Sequence, residues 1–384
     1  MKTKIAFTGG GTAGHIYPGL AVADELKSIA EKNNFDIEIS WLGCSKGMDK
    51  KIVTSAVRGN GRPSCDRFYG IPSGKLRRYF SLKNFSDLFK IAGGFFKSFF
   101  ILLKMKPALL FSKGGFVSVP PCIAAKILGI PVFTHECDFT PGLANRINAK
   151  SASKMLLSYE ETKRFLSEGN KAKSVVTGNP VRPVFYSADK SKGLFFLGIP
   201  ESHQKPVLIV LGGSSGARQI NQLVSENLDF LCEHFIVVHQ TGMVNTDENE
   251  NKTLKEKYGD DYKPYPFIYK EMADVLSSAD VILSRAGANS IWECAVMSKP
   301  MVLVPLCGNG TRGDQVDNAK FFEEKGCAEV LLGDEATGEN LKSKLEKMTD
   351  VECRKVYAEN LKALTGETRP ALKIAELIME KAGN

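Results

Sequence analysis

The chain is predicted to be an α/β protein made of two Rossmann-like, doubly wound parallel-sheet domains. Short apolar runs alternate with helix-forming segments through all 384 residues, the pattern of parallel strands joined by crossover helices. The series also starts twice. GGGTAGH follows an apolar run near residue 8, and GGSSGARQ follows another near residue 211. A chain of this length exceeds one typical core, so size alone also favours two domains.

Residues 5–8 read as the first strand, 18–31 as a helix and 37–42 as the next strand. Residues 108–112, 132–135 and 155–157 continue the strand series. NPVRP at 179–183 stops regular structure, because proline lacks an N–H and fixes φ. The second series opens with a strand at 206–211 and a helix at 216–228, followed by strands at 236–239, 281–283 and 301–304. Domains are therefore expected at 1–181 and 182–366, with a last helix over about 367–384 packing back on the first.

Composition is that of an ordinary globular protein, 43% apolar and 24% charged. The charge is uneven. Residues 1–181 hold 27 Lys and Arg against 13 Asp and Glu, net +14, whereas the remainder holds 24 against 30, net −6. A basic first half suits an anionic surface or polymer. The nine cysteines include no CxxC pair, which argues for reduced structural thiols in the cytosol and against a zinc site. MKTKIAFTGGG reads as a strand and loop rather than a signal peptide. The longest apolar run is broken by Lys97 and Lys104, so no bilayer span is expected.

The most informative stretch is ADVILSRAGANSIWE, residues 279–293. An apolar strand, a turn at Gly287 and the N-cap residue types Asn289 and Ser290 predict a helix whose free N–H groups suit an anion. Glu293, about one turn further in, could accept hydrogen bonds from sugar hydroxyls. Together these are the needs of a nucleotide-sugar site; an ordinary strand–turn–helix unit with a surface Glu is the alternative. Gly9, Gly10, Gly11 and Gly14 admit close backbone approach to a phosphate. Their spacing is not GxGxxG, and no acid closes the second strand, which speaks against a nicotinamide-dependent oxidoreductase. His15 ends this loop, placed to act as a general base or to bond backbone. KGGFVSV at 113–119 forms a second glycine loop, and His135, Glu136 and Asp138 follow another strand end, where Glu136 or Asp138 could serve acid–base chemistry or cap the helix near Pro141. Strand ends of an open parallel sheet line its ligand crevice, so these loops should converge. Asp314 and Gln315 lie in a similar loop, and no DxD triplet marks a metal–nucleotide site.

Residues 62–106 hold ten Lys and Arg, two acids and ten Phe and Tyr. An aromatic-rich basic helix over 82–106 fits a membrane interface, although part of it must be core. The aromatics cluster with aliphatics rather than spreading as base-stacking platforms, so nucleic acid is not expected.

In order and spacing, GGTAGHIYPGLA, SGKLRRY, FSKGGFVSVP, HECDFTPGLANRI, TGNPVR, LGGSSGARQIN, HQTG, SRAGANSIWE and RGDQVDNA resemble the MurG family of peptidoglycan glycosyltransferases. The resemblance implies a GT-B architecture of two domains facing a cleft. It implies inverting transfer of N-acetylglucosamine from UDP-N-acetylglucosamine to the 4-hydroxyl of undecaprenyl-diphospho-muramoyl-pentapeptide, with no cofactor or required metal. The work would be done at the cytoplasmic face of the bacterial membrane, against an anionic surface, with cell-wall synthesis or division proteins as eligible partners. Donor contacts would fall on Thr12, Ala13, Gly14, Asp138, Arg182, Ser214, Ile268, Ala288, Asn289, Ser290, Glu293 and Gln315. Gly10, Gly11, Gly14, Gly114 and Gly115 would face the acceptor, with His15, Glu136 or Asp138 as base. Three positions depart from the commonest family pattern: Ala13 stands for Gly, Asp138 for Asn and Ser215 for Gln. Two rival readings are a diacylglycerol glycosyltransferase of the same fold and a non-catalytic membrane scaffold.

Overall fold

The computed structural model describes residues 2–74, 82–213, 216–244, 247–308 and 311–383, with the side chains of 82–86 and 248 left aside. Two compact units divide it, Met1–Pro183 with Thr368–Asn384, and Val184–Glu367.

The first unit holds strands β1 (Thr3–Thr8), β2 (Ile37–Cys44), β3 (Arg67–Ile71), β4 (Leu109–Ser112), β5 (Val132–Glu136), β6 (Lys154–Leu157) and β7 (Ser174–Val176). They form one parallel sheet in the order β3-β2-β1-β4-β5-β6-β7. Helices α1 (Tyr17–Lys32), α2 (Asp49–Ser55), α3 (Leu82–Met105), α4 (Val119–Ile127), α5 (Leu143–Ala149) and α6 (Glu168–Lys171) connect them. Strand period 2 divides the sheet's side chains between two faces. Ile5, Phe7, Ile39 and Trp41 meet α1 on one side. Ala6, Leu42 and Leu110 meet Leu102 of α3 and Ala124 of α4 on the other.

The second unit begins with α7 (Lys190–Leu197) and holds β8 (Val207–Leu211), β9 (Ile236–Gln240), β10 (Tyr262–Tyr265), β11 (Val281–Ser284), β12 (Met301–Leu303) and β13 (Ala328–Val330). Their parallel order is β10-β9-β8-β11-β12-β13. Helices α8 (Arg218–Ser225), α9 (Leu228–His234), α10 (Glu248–Tyr258), α11 (Met272–Ser278), α12 (Ala288–Val296), α13 (Asp314–Glu324), α14 (Gly338–Lys347) and α15 (Val351–Thr365) complete it. The chain then returns to the first unit as α16 (Pro370–Gly383). Ala371, Ile374, Ala375 and Ile378 join the apolar cluster beneath α1, Arg369 pairs with Glu25 at 3.3 Å, and Lys373 Nζ donates to Val176 O at 2.8 Å.

Two expected helix bounds are corrected. The helix read over 216–228 is α8 alone, because Gly216 takes a left-handed φ of +79° before it and the Asn227 side chain donates to Leu223 O after it. Asn289 and Ser290 are not N-caps: Gly287 is the cap, and both residues lie in the first turn of α12.

Candidate active site

The order of each sheet reverses once, between β1 and β4 in the first and between β8 and β11 in the second. Ligands of open α/β sheets bind outside the carboxyl ends of the strands at such a switch point. The glycine loops singled out by sequence follow these four strands.

In the first unit the loop after β1 is pinned from three directions. Trp41 Nε1 donates to Gly9 O at 3.0 Å. The carboxylate of Asp49, at the start of α2, accepts from Gly11 N at 3.0 Å and from Cys44 N at 2.8 Å. Gly10 lies so close to this carboxylate that a Cβ there would meet Asp49 Oδ2 at 1.8 Å. Burial raises the Asp49 pKa against the pull of these N–H groups. Thr12 is exposed, Ala13–His15 form a 3-10 turn, and His15 sits half-buried with its Nδ1 enclosed.

The loop after β4 closes onto the first. A Cβ on Gly115, which takes φ +77°, would stand 2.8 Å from both His15 Cδ2 and Gly10 O. Gly114 packs in the same way against the Asn145 side chain. Asn145 Nδ2 in turn donates to His135 O and to Glu136 Oε2, both at 3.0 Å. Glu136 is 2% exposed and also accepts from Asp138 N at 3.1 Å and Gly142 N at 2.8 Å. Its carboxylate therefore anchors the turn into α5. Asp138 is more open than Glu136.

Lys113 and His135 are fully buried behind the loops. The His135 pKa is pushed well below its ordinary value, first by burial and then by the Lys113 charge. Its Nε2 lies 3.0 Å from Gly178 O; a carbonyl only accepts, so Nε2 carries the proton. Glu136, Cys137 and Asp138 bring one possible ligand atom each within 4.8 Å. Both Glu136 oxygens are already engaged, and burial pushes the Cys137 thiol up to about 12, which opposes the thiolate a metal needs. Arg182 belongs to this unit too, with its guanidinium carbon 5.0 Å from the Tyr17 ring centroid.

In the second unit Ser214 lies outside the described residues, as do Ser215 and most of SGKLRRY. The turn after β11 is braced by Arg285, whose Nη1 donates to Gln219 Oε1 at 2.8 Å and Val304 O at 2.9 Å. Asn318 Nδ2 donates to Ala286 O at 3.2 Å. These bonds fix Gly287 and the amino end of α12. Ala288 is buried there, Asn289 half-buried and Ser290 exposed, while Glu293 lies half-buried one turn in. Gln315 Oε1 accepts from Leu306 N at 3.0 Å, and Ile268 N donates to Gln240 Oε1 at 3.0 Å. The Ile268 amide is thus spent on holding its own loop.

The first unit thus gathers Gly10, Gly11, Thr12, Ala13, Gly14, His15, Gly114, Gly115 and, through Asn145, Glu136 and Asp138. The second carries Ile268 on the loop after β10, Ala288, Asn289, Ser290 and Glu293 in the first turns of α12, and Gln315, with Asp314, in the first turn of α13 rather than in the loop expected from sequence. Sequence reasoning missed Asp49, Asn145 and Lys113. Asp49 stands two residues after a glycine in CSKGMD, the one local hint of a loop-pinning acid; Lys113 and Asn145 lie inside the motifs KGGFVSV and HECDFTPGLANRI, but nothing in either motif marks them out from their neighbours.

The glycosyltransferase family 28 N-terminal domain matches residues 5–157, and the glycosyltransferase family 28 C-terminal domain matches 207–378. The chain is 52% identical to the UDP-N-acetylglucosamine--N-acetylmuramyl-(pentapeptide) pyrophosphoryl-undecaprenol N-acetylglucosamine transferase of Treponema denticola, over 97% of this chain and 96% of that one. It is 40% identical to transferase 2 of the same description from Bacillus cereus, over 95% and 96%. MurG of Acinetobacter baumannii shares the fold, with a TM-score of 0.72 at 24% identity, covering 98% of this chain and 99% of that one. Because this chain and its Treponema relative cover one another almost end to end at better than half identity, the chain belongs to glycosyltransferase family 28 and, within it, to the MurG transferases.

Proposed function

We infer that the chain transfers N-acetylglucosamine from UDP-N-acetylglucosamine to the 4-hydroxyl of muramoyl-pentapeptide pyrophosphoryl-undecaprenol, the step from lipid I to lipid II in peptidoglycan synthesis. The 52% identity over nearly the full length of both chains carries this reading. The paired glycine loops at each switch point agree with it.

In the proposed mechanism the donor diphosphate meets the amino end of α12, whose dipole opposes leaving-group charge. Glu293 accepts hydrogen bonds from the donor's hydroxyls, with Ile268, Ala288, Asn289, Ser290, Gln315 and Ser214 around it. Thr12, Ala13, Gly14, Asp138 and Arg182 complete the donor contacts. Gly10, Gly11, Gly14, Gly114 and Gly115 let the acceptor approach backbone closely. The acceptor hydroxyl attacks the anomeric carbon from the face opposite the diphosphate, inverting it, and His15 takes the proton. Asp138 is the alternative base. The three N–H groups on Glu136 support a positioning role for it instead. Arg182 and the helix dipole stabilise the departing diphosphate, and no step calls for a metal.

The acceptor is lipid-linked, so the reading places the protein on the cytoplasmic face of the membrane as a peripheral protein. No helix among the described residues is long and apolar enough to cross a membrane. The exposed Leu88, Phe89, Phe96, Phe100 and Leu103 of α3 and its lysines supply an anionic-surface contact. Cell-wall synthesis or division proteins are the partners in keeping with this location. Mass analysis of products from UDP-N-acetylglucosamine and a short-chain lipid I analogue tests the reaction. A product heavier by one N-acetylglucosamine residue is expected. Transfer to diacylglycerol instead, or no transfer at all, would overturn it.

A further inference from the structure

The turn that leaves β5 carries Asp138, one of the two candidate bases, and Phe139 follows it directly. The segment after β6 is fastened to this turn. Ser158 Oγ donates to Glu136 O at 3.0 Å. Thr162 Oγ1, in the 3-10 turn Glu160–Phe165, donates to Phe139 O at 2.8 Å. Thr162 is fully buried, and the buried Tyr159 ring meets Phe139 edge to face at 5.5 Å.

Arg164, exposed near the end of that segment, lies in the angle between two rings. Its guanidinium carbon stands 4.8 Å from the Phe139 centroid and 4.7 Å from the Phe165 centroid, and the rings meet edge to face at 6.1 Å. Contact with aromatic faces holds a cation in place without neutralising it. Lys163 beside it is taken up by Glu160 at 2.7 Å, whereas Arg164 forms no ion pair among the described residues. Arg146 brings a second positive charge to the same turn: its Nε donates to Pro141 O at 3.0 Å, and it too forms no ion pair among the described residues.

A mere cover over the rings needs no charge, because an apolar stem would serve as well. A guanidinium with its fork free instead matches a carboxylate through two parallel N–H bonds. The rings have already ordered the side chain, which lowers the cost of binding. The acceptor assigned above has such a group to offer, since it carries a pentapeptide and a peptide ends in a carboxylate. Its diphosphate is the other anion within it. That group is more highly charged and would lie against ring faces, which repel an anion. A peptide brings a carboxylate and apolar groups together, which suits Arg164 beside the exposed Phe165.

We propose that Arg164, set by Phe139 and Phe165, binds a carboxylate of the acceptor's stem peptide. This seat rests on the reaction inferred above and adds peptide recognition to the first unit, next to the turn that carries Asp138.

The test crosses one variant with three short-chain acceptors. Arg164→Met keeps an unbranched stem on the rings and removes the charge, and thermal melting confirms that it is folded. One acceptor carries the intact pentapeptide, one the same peptide with every carboxylate converted to an amide, and one a muramoyl diphospholipid without peptide. For wild type, amidation alone should raise the acceptor KM about tenfold, the loss of one charge-assisted pair. Arg164→Met should raise KM about tenfold on the intact acceptor and by less than about twofold on the other two, because the charge then has no partner left to lose. An equal loss on all three acceptors would assign Arg164 to the diphosphate or to a structural cover and overturn the carboxylate seat. Wild type indifferent to amidation would overturn it as well. Both of those outcomes leave the proposed reaction standing; transfer of N-acetylglucosamine by wild type to none of the three would overturn the reaction itself.

Discussion

His15 stands where two glycine loops touch, its ring against Gly115. A neutral imidazole there can accept a hydroxyl proton near neutral pH. His15→Ala is expected to lower kcat about 10²–10⁴-fold with little change in donor affinity. Near-normal kcat in that variant, together with a collapse in Asp138→Ala, would move the base to Asp138. Glu293→Ala should instead raise the donor KM, since losing a charge-assisted hydrogen bond costs roughly 1.5–3 kcal/mol. Unchanged donor kinetics would remove Glu293 from the site. Asp24, on α1, gives a pH signature of stability. Burial raises its pKa from 3.8 to about 6, against the Ser64 hydrogen bond and the Arg58 and Arg182 charges. A raised carboxyl pKa means that the folded state holds the proton more tightly. Its stabilising contribution is therefore present below about 4 and lost as pH rises to about 6. Asp24→Asn should melt higher than wild type at pH 8, with the gap closing between pH 6 and 4. A gap that stays constant with pH would disprove the assignment. At this scale the sequence exposed His15 and Glu293 because glycine turns mark their surroundings. It hid Asp49, whose partner Gly11 lies 38 residues away, and Asn145, whose bonds need β5 and the Gly114 turn already folded.

α3 has a packed face and an exposed one. Phe95 and Phe99 pack toward the sheet cluster, while Phe96 and Phe100 stand in solvent. Replacing Phe95 and Phe99 by Ser should lower stability by about 1–3 kcal/mol per residue through lost burial. Replacing Phe96 and Phe100 by Ser should leave the melting temperature within a degree or two and weaken vesicle binding. The same effect from both pairs would mean that the outer face is core. The neighbouring charges explain why the helix was readable: Lys90, Lys97 and Lys104 recur on its open side. Strands were readable by position in the sheet. The central β1, β4, β5, β8 and β11 are buried apolar runs. The four that escaped, β3, β7, β10 and β13, are the sheet edges. Edges face water and tolerate residues that a central strand excludes: Arg67 and Ser174 begin two of them, and Pro264 lies within β10. The cap of α12 was misplaced because Gly287 caps with backbone alone, so the side-chain signal pointed two to three residues downstream.

Across the whole molecule, the chain leaves the first unit at Pro183 and re-enters it at Thr368. The last helix is structural to a sheet that was begun at residue 3. Ile374→Ala should therefore cost about 2–5 kcal/mol, measured as a lower melting temperature of the first unit. A change under 0.5 kcal/mol would mean that α16 is only loosely applied. That closure also has a consequence in time. Synthesis proceeds from the amino end at about 5–20 residues per second, so the stretch Val184–Glu367 takes roughly 10–40 s to emerge. Through that interval the α1 face that receives Ala371, Ile374, Ala375 and Ile378 has nothing to cover it. The nascent first unit is then a natural client for chaperones that grip exposed apolar surface, and release should wait for the final helix to clear the ribosome.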